Sequence, residues 1–309
     1  MANYTKLTSP ELKTLLDNYD LGEVLQVSPL EGGQANSSLK VSTQRETFTL
    51  SICDEKNGED IENLTTILAY LDEKRFPTTK LIKTKDDKKF VFHKSKPVFI
   101  KRFLKGEVIH DLTPTMIRQV GRAMAHLHSL EPLDPMKSYF PYGIEAFDTL
   151  LKEEFTHEYL DWLADKKSYL ERTIDPDMPR GFIHGDIFWD NVLFDKELLV
   201  AILDFEEACH FYKLFDLGMA AVGCCSYDGC LNLSKITGLL GGYAEICPFT
   251  THEKSQLNVF IEYAAVAASF WRFRQYNIRH PNPDNADNYK ELSALADQIH
   301  TLNDPLLFT

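Results

Sequence analysis

The sequence predicts an α+β chain in two parts, a small strand-rich first lobe and a larger, mostly helical second one. Three patterns carry that expectation. Across residues 22–53 apolar side chains alternate with polar ones (Leu25, Val27; Leu39, Val41; Phe48, Leu50, Ile52), the two-residue period of a half-buried antiparallel sheet. From residue 113 onward apolar residues recur mainly at the three- and four-residue spacing of helices. Within that helical part, Phe182-Ile183 and Val192-Leu193-Phe194 flank a polar loop, and a third apolar run, residues 200–203, ends on Asp204. Short apolar runs of this kind are buried strands, and the polar residues where they break point into a cleft.

The elements follow in order. Ser9-Pro10-Glu11 opens a short helix carrying Leu12, Leu15 and Leu16, with proline at its first position. After the alternating strands, residues 60–74 form a helix whose apolar stripe is Ile61, Leu64, Ile67, Leu68 and Leu71. Residues 79–82 and 90–92 read as strands joined by an Asp86-Asp87 turn. Residues 113–130 form a helix burying Val120, Met124, Leu127 and Leu130. A single long helical stretch is expected over 144–172, with Phe147, Leu150, Leu151, Phe155, Tyr159, Leu163 and Leu170 inward. Asp175-Pro176-Asp177-Met178-Pro179-Arg180 breaks the chain before the central strands. The helical region ending at Cys247 is expected to be interrupted at residues 238–242 by glycines, and a further helix runs over 257–279. Pro281-Asn282-Pro283 then precedes a last helix bearing Tyr289, Leu292, Leu295 and Ile299.

At 309 residues the chain is long enough for a large core, and its 44% apolar and 26% charged residues are those of a globular protein. The formal charge of −13 argues against a nucleic-acid or anionic-membrane partner. An acidic surface suits an amine-bearing substrate, although many acidic proteins have none. The six cysteines form no Cys-x-x-Cys pair and read as reduced core thiols. The start resembles no signal peptide, and no apolar run approaches 18 residues, so a cytoplasmic protein is expected.

The chemistry concentrates in His184-Gly185-Asp186 and Asn191, five residues after the aspartate, with Asp204-Phe205 following. Each residue alone is an ordinary turn former. Together, and bracketed by strands, they match the catalytic loop and metal-binding segment of kinases. Phosphoryl transfer asks for metal ions and a nucleophile held in line more than for covalent chemistry. Asp186 would orient or accept the proton of a substrate hydroxyl, and Asn191 and Asp204 offer hard oxygens for Mg²⁺ on the phosphates of ATP.

Gly185 stands where protein kinases carry arginine, and Glu206 where they carry glycine. His-Gly-Asp-x-x-x-x-Asn followed by Leu-Asp-Phe instead resembles the aminoglycoside phosphotransferase and choline kinase superfamily, and Phe-x-His-Gly-Asp-x-Phe-x-Asp-Asn-Val-Leu-Phe looks most like the type II homoserine kinases. That resemblance implies a two-lobed protein-kinase-like fold, with a small antiparallel-sheet N-lobe over 1–103 and a larger, mostly helical C-lobe over 104–309, ATP lying between them. It assigns Gly32, Gly33 and Asn36 to the nucleotide-covering loop, a Gly-Gly turn that by itself is an ordinary hairpin. Lys101 and Phe103 fall on the strand entering the hinge, where backbone groups bind the adenine edge. The third strand should carry a lysine for the phosphates, and Ser51 stands there; homoserine kinases of this type share a small hydroxyl residue at that place. Lys40 on the preceding strand could reach in to the phosphates but reads better as a solvated edge-strand lysine, and Glu62, at the place of the helix glutamate that pairs the kinase lysine, reads as a surface glutamate with no lysine at 51. His184 and Asp216 would brace the catalytic loop, and His128 reads as a structural histidine beside it. Glu206 and Glu207 are candidates for a substrate amine, or plain solvated acids. Arg272 and Arg274 are candidates for a substrate carboxylate, against the alternative of a solvated helix face.

The expected activity is transfer of the ATP γ-phosphate to a hydroxyl of a small amino acid or amino alcohol, L-homoserine first. Choline or ethanolamine kinase and aminoglycoside phosphotransferase are the enzyme alternatives. The absence of lysine at Ser51 also admits a nucleotide-binding regulator without catalysis. Oligomeric state has no signature in the sequence.

Overall fold

The computed structural model describes residues 5–30, 36–152 and 156–302. The chain divides into two compact units, Met1–Gly106 and Glu107–Thr309.

The first unit begins with helix α1 (Ser9–Leu16), closed by a capping box in which Thr8 and Glu11 satisfy each other's backbone N–H. Strands β1 (Val24–Pro29), β2 (Asn36–Thr43) and β3 (Thr47–Cys53) follow, then helix α2 (Gly58–Glu73) and strands β4 (Leu81–Ile82), β5 (Val91–His93) and β6 (Lys96–Arg102). The sheet runs β1-β2-β3-β6-β4, with β5 also on β6, and every pair is antiparallel. Alternation in β3 sends Phe48, Leu50 and Ile52 to one face. There they pack with Val41, Val98, Ile100, Leu15, Tyr19 and Leu21, each burial contributing about 1.5–3 kcal/mol. The opposite face carries Ser38, Ser51 and Phe99 in one cross-strand row and Lys40, Thr49 and Lys101 in the next. Two expectations need correction. β4 and β5 do not form a hairpin with each other; both pair with β6, which offers more backbone partners than a two-residue strand. Lys40 is not on an edge, because β1 pairs along the outer side of β2.

The second unit opens with β7 (Glu107–Val108) and helix α3 (Pro114–Ser129), capped by Thr113. The long helix expected over 144–172 is two helices, α4 (Ile144–Leu151) and α5 (Glu158–Thr173). Lys152 closes the first, and the His157 ring accepts the Tyr159 N–H to start the second, while Phe155 lies outside the described residues. Strands β8 (Arg180–Ile183), β9 (Val192–Asp195), β10 (Leu198–Ile202) and β11 (Cys209–Tyr212) come next, then the almost wholly buried α6 (Lys213–Cys225). A small hairpin of β12 (Ser226–Tyr227) and β13 (Cys230–Leu231) leads to α7 (Leu233–Ala244), α8 (Thr251–Phe273) and α9 (Tyr289–His300).

Helix α7 runs unbroken through residues 238–242, contrary to expectation. Its glycines make a seam with α3: a Cβ on Gly242 would stand 2.0 Å from the Arg118 carbonyl oxygen, and one on Gly121 would stand 2.1 Å from that of Leu239. Backbone-to-backbone approach outweighs the roughly 1 kcal/mol that glycine costs a helix interior. The helix expected over 257–279 starts earlier, at a Thr250–Glu253 capping box, and widens into a π-helical turn over Arg274–Arg279. All six cysteines are free thiols; Cys53, Cys209, Cys224 and Cys225 are buried and Cys230 is exposed. No helix among the described residues is long and apolar enough to cross a membrane.

Candidate active site

The second unit builds a site from the ends of its short strands. β8 pairs antiparallel with β11 and delivers His184-Gly185-Asp186 at its end. A single helical turn, Trp189–Asn191, then feeds the β9–β10 hairpin, whose far end returns the chain as Leu203-Asp204. The Leu203 N–H donates to the Asn191 carbonyl at 2.8 Å, so Asn191 and Asp204 leave the hairpin side by side. Asn191 Nδ2 donates to the Asp186 backbone carbonyl at 2.9 Å and to its Oδ2 at 3.2 Å, which turns the amide oxygen of Asn191 the other way.

The His184 ring ties the two segments together. Its Nδ1 accepts the Asp186 N–H at 3.1 Å, which leaves Nε2 to donate to the Leu203 carbonyl at 2.7 Å. Burial lowers the pKa of this imidazole and holds it neutral, as that pattern requires. Behind it, the fully buried Asp216 in the first turn of α6 accepts three bonds: His184 N–H at 3.0 Å, Gly185 N–H at 2.7 Å and His128 Nε2 at 2.9 Å. Burial works against ionisation of Asp216, but the His128 hydrogen bond and the His184 backbone N–H keep its pKa below the ordinary value. His128 is oriented in turn by the Tyr243 hydroxyl at 3.0 Å. Gly185 has φ of +86°, and a Cβ there would meet the Glu207 carbonyl oxygen and the Phe140 ring at 3.0 Å, which explains a glycine between His184 and Asp186.

Asp204 adopts the left-handed conformation (φ 63°, ψ 69°), a strained state for a residue with a side chain and one that recurs at functional sites. The Asp186 carboxyl is pushed up to about 8, first by burial and then by the negative charges of Asp204, Glu207 and Asp190. Four carboxylates therefore act on one small region. Of the two glutamates expected beside it, Glu207 bears on Asp186 electrostatically, while Glu206 is not among the charges that shift it. The influence of Asp190, the Tyr243 support of His128 and the Phe140 ring over Gly185 were not foreseen from sequence; only the Asp190-Asn191 pair stood close enough to suggest one of them.

Gly32 and Gly33 fall outside the described residues; Asn36 begins β2 opposite Cys53. Lys101 pairs with Thr49 in the sheet, and the Phe103 N–H donates to the Thr47 carbonyl at 2.9 Å. Glu62 is salt-bridged to Lys89 on the surface. Arg272 is committed to α9, donating to the Asn288 carbonyl and to Glu291, both at 3.0 Å. Arg274, half-buried at the start of the π turn, has no ion pair among the described residues.

Residues 26–249 match the family described as phosphotransferase enzymes. The chain belongs to this phosphotransferase family. A homoserine kinase of Methylobacillus flagellatus is 26% identical over 295 residues, covering 94% of this chain and 92% of its own. Among solved structures, a microcompartment-associated aminopropanol kinase superposes with a TM-score of 0.73 at 15% identity, over 98% of this phosphotransferase and all of its own chain. A spectinomycin phosphotransferase solved with ADP and spectinomycin gives 0.68 at 16% identity, over 96% and 100%. At such identities the two structures speak for the fold, a kinase-like arrangement of a sheet-rich and a helical part.

Proposed function

We propose that the chain transfers the γ-phosphate of ATP to the hydroxyl of a small amino acid, L-homoserine foremost. The observation that carries the reaction is the meeting of Asp186, Asn191 and the left-handed Asp204 at the strand ends. Similarity to homoserine kinases over most of both chains supports the substrate.

Asp186 orients the acceptor hydroxyl and takes its proton. Asn191 and Asp204 would hold Mg²⁺ through an amide oxygen and a carboxylate, and the crowding of negative charge around Asp186 is what a cation there relieves. Bound Mg²⁺ supplies charge neutralisation for the transferring phosphoryl group. His184 and Asp216 hold the loop that carries Asp186. Glu207 is assigned to the substrate ammonium and Arg274 to its carboxylate, since Arg272 is already occupied. On this reading the protein is a cytoplasmic enzyme of small molecules.

ADP release with Mg²⁺-ATP, compared across L-homoserine, choline, ethanolamine and kanamycin, tests the assignment. Turnover with homoserine alone, abolished in Asp186→Ala, is the expected result. Turnover with choline or kanamycin instead removes homoserine, and ATP binding without turnover on any acceptor favours a regulator.

A further inference from the structure

In the first unit the expected phosphate lysine is replaced by Ser51, which is 2% exposed and flanked in its row by Ser38 and Phe99. A hydroxyl does not neutralise a polyphosphate. The neighbouring row on the same face holds Lys40 and Lys101 on either side of Thr49, about 7 Å along the strands. The two ammonium groups lean in opposite directions. Lys101 Nζ lies 5.7 Å from the centroid of Phe99, the ring in the row of Ser51. Lys40 Nζ lies 4.6 Å from that of Phe103, whose N–H bonds Thr47 on the far side of Thr49. Neither lysine has an ion pair among the described residues, whereas Lys96 and Arg102 of β6 are matched to Asp54 and Glu46. Lys101 is thus a cation leaning toward the vacant lysine position, steadied by an aromatic ring and left without a carboxylate.

We propose that the ammonium of Lys101 binds a phosphate of the nucleoside triphosphate in place of the missing third-strand lysine. The proposal rests on the kinase reading above and adds the source of phosphate charge that Ser51 lacks.

Calorimetric titration of the full chain with Mg²⁺-ATP and with adenosine tests it. Lys101→Met is expected to weaken Mg²⁺-ATP by about tenfold or more while leaving adenosine within about twofold, because only the phosphate contact is lost. Lys101→Arg, which keeps the charge, is expected to stay within about threefold of the wild type and keeps the test open if the methionine variant unfolds. Lys40→Met is expected to change Mg²⁺-ATP affinity by less than about threefold. Unchanged Mg²⁺-ATP affinity in Lys101→Met overturns the proposal. A proportional loss of adenosine does so too, by giving Lys101 to the base, and so does an ATP-selective loss that appears in Lys40→Met instead. If the wild type binds neither ligand, the kinase reading itself falls and takes the proposal with it; if the wild type binds both and Lys101→Met matches it, the proposal falls alone.

Discussion

Replacing Asp216 by asparagine should loosen the loop that carries Asp186 without touching Asp186 itself. The carboxylate is wholly buried, with Gly185 N–H on Oδ1 and both His184 N–H and His128 Nε2 on Oδ2. An amide must place its NH₂ where one oxygen stood, so at least one N–H donor meets another donor, whichever way the group turns. Losing a hydrogen bond to a charged acceptor costs about 1.5–3 kcal/mol, and at least one is lost, so Asp216→Asn should cost about 1.5–3 kcal/mol or more at neutral pH. The pKa of Asp216 is depressed below 3.8 in the folded chain. Its stabilising contribution is therefore complete above that value, shrinks as pH falls below it, and vanishes once pH passes below the folded pKa. Urea unfolding followed by tryptophan fluorescence, with Trp189 reporting from the loop, should show a constant gap between wild type and variant from about pH 7 to 5, narrowing below about pH 4. Turnover should fall about 100-fold, because the displaced His184 and Gly185 backbone carries Asp186 with it. A gap under about 1 kcal/mol at neutral pH, or one that stays constant into the acid range, would refute the idea that Asp216 holds the loop as an ionised acceptor.

Four further outcomes follow from single contacts. Asp204→Asn should lower turnover about 100-fold and raise the Mg²⁺ concentration needed for half-maximal rate; an unchanged Mg²⁺ midpoint takes Asp204 out of the metal site. Glu207→Gln removes one of the charges that push Asp186 up, so the acidic limb of the kcat/KM profile should move to lower pH, and an unmoved limb contradicts the closeness of Glu207 to the base. Gly242→Ala drives a methyl against the Arg118 carbonyl and should destabilise the second unit by about 3 kcal/mol in urea unfolding; a neutral result would mean α3 and α7 can part at no cost. Lys166→Met leaves Glu262, 1% exposed, with His300 as its remaining partner among the described residues and should cost about 3–5 kcal/mol, most of it recovered in a Lys166→Met/Glu262→Leu double variant. A single variant as stable as wild type would show that water reaches Glu262.

What could be foreseen and what could not divide along a physical line. Residues whose type is dictated by local backbone or by chemistry were legible: the alternation of Phe48, Leu50 and Ile52 gives the sheet, and His184, Asp186 and Asn191 fall together because a short loop between two strands leaves them no other place. Residues whose role depends on a distant partner were not. Gly238 and Gly242 look like helix breakers because propensity is the one local signal glycine carries, and the α3 backbone lying against them is far away in sequence. Glu206 and Glu207 are equivalent as letters, yet the turn Phe205–Glu207 brings only the second to bear on Asp186. Lys40 and Lys101 show the same limit at a larger spacing. Some sixty residues apart, they become neighbours across Thr49 only once β6 is known to pair with β3 as well as with β4 and β5. A lysine expected at the position of Ser51 is a local expectation; the pairing of β6 with β3 instead sets Lys101 one row away, opposite Thr49, a placement that no reading of the third strand by itself contains.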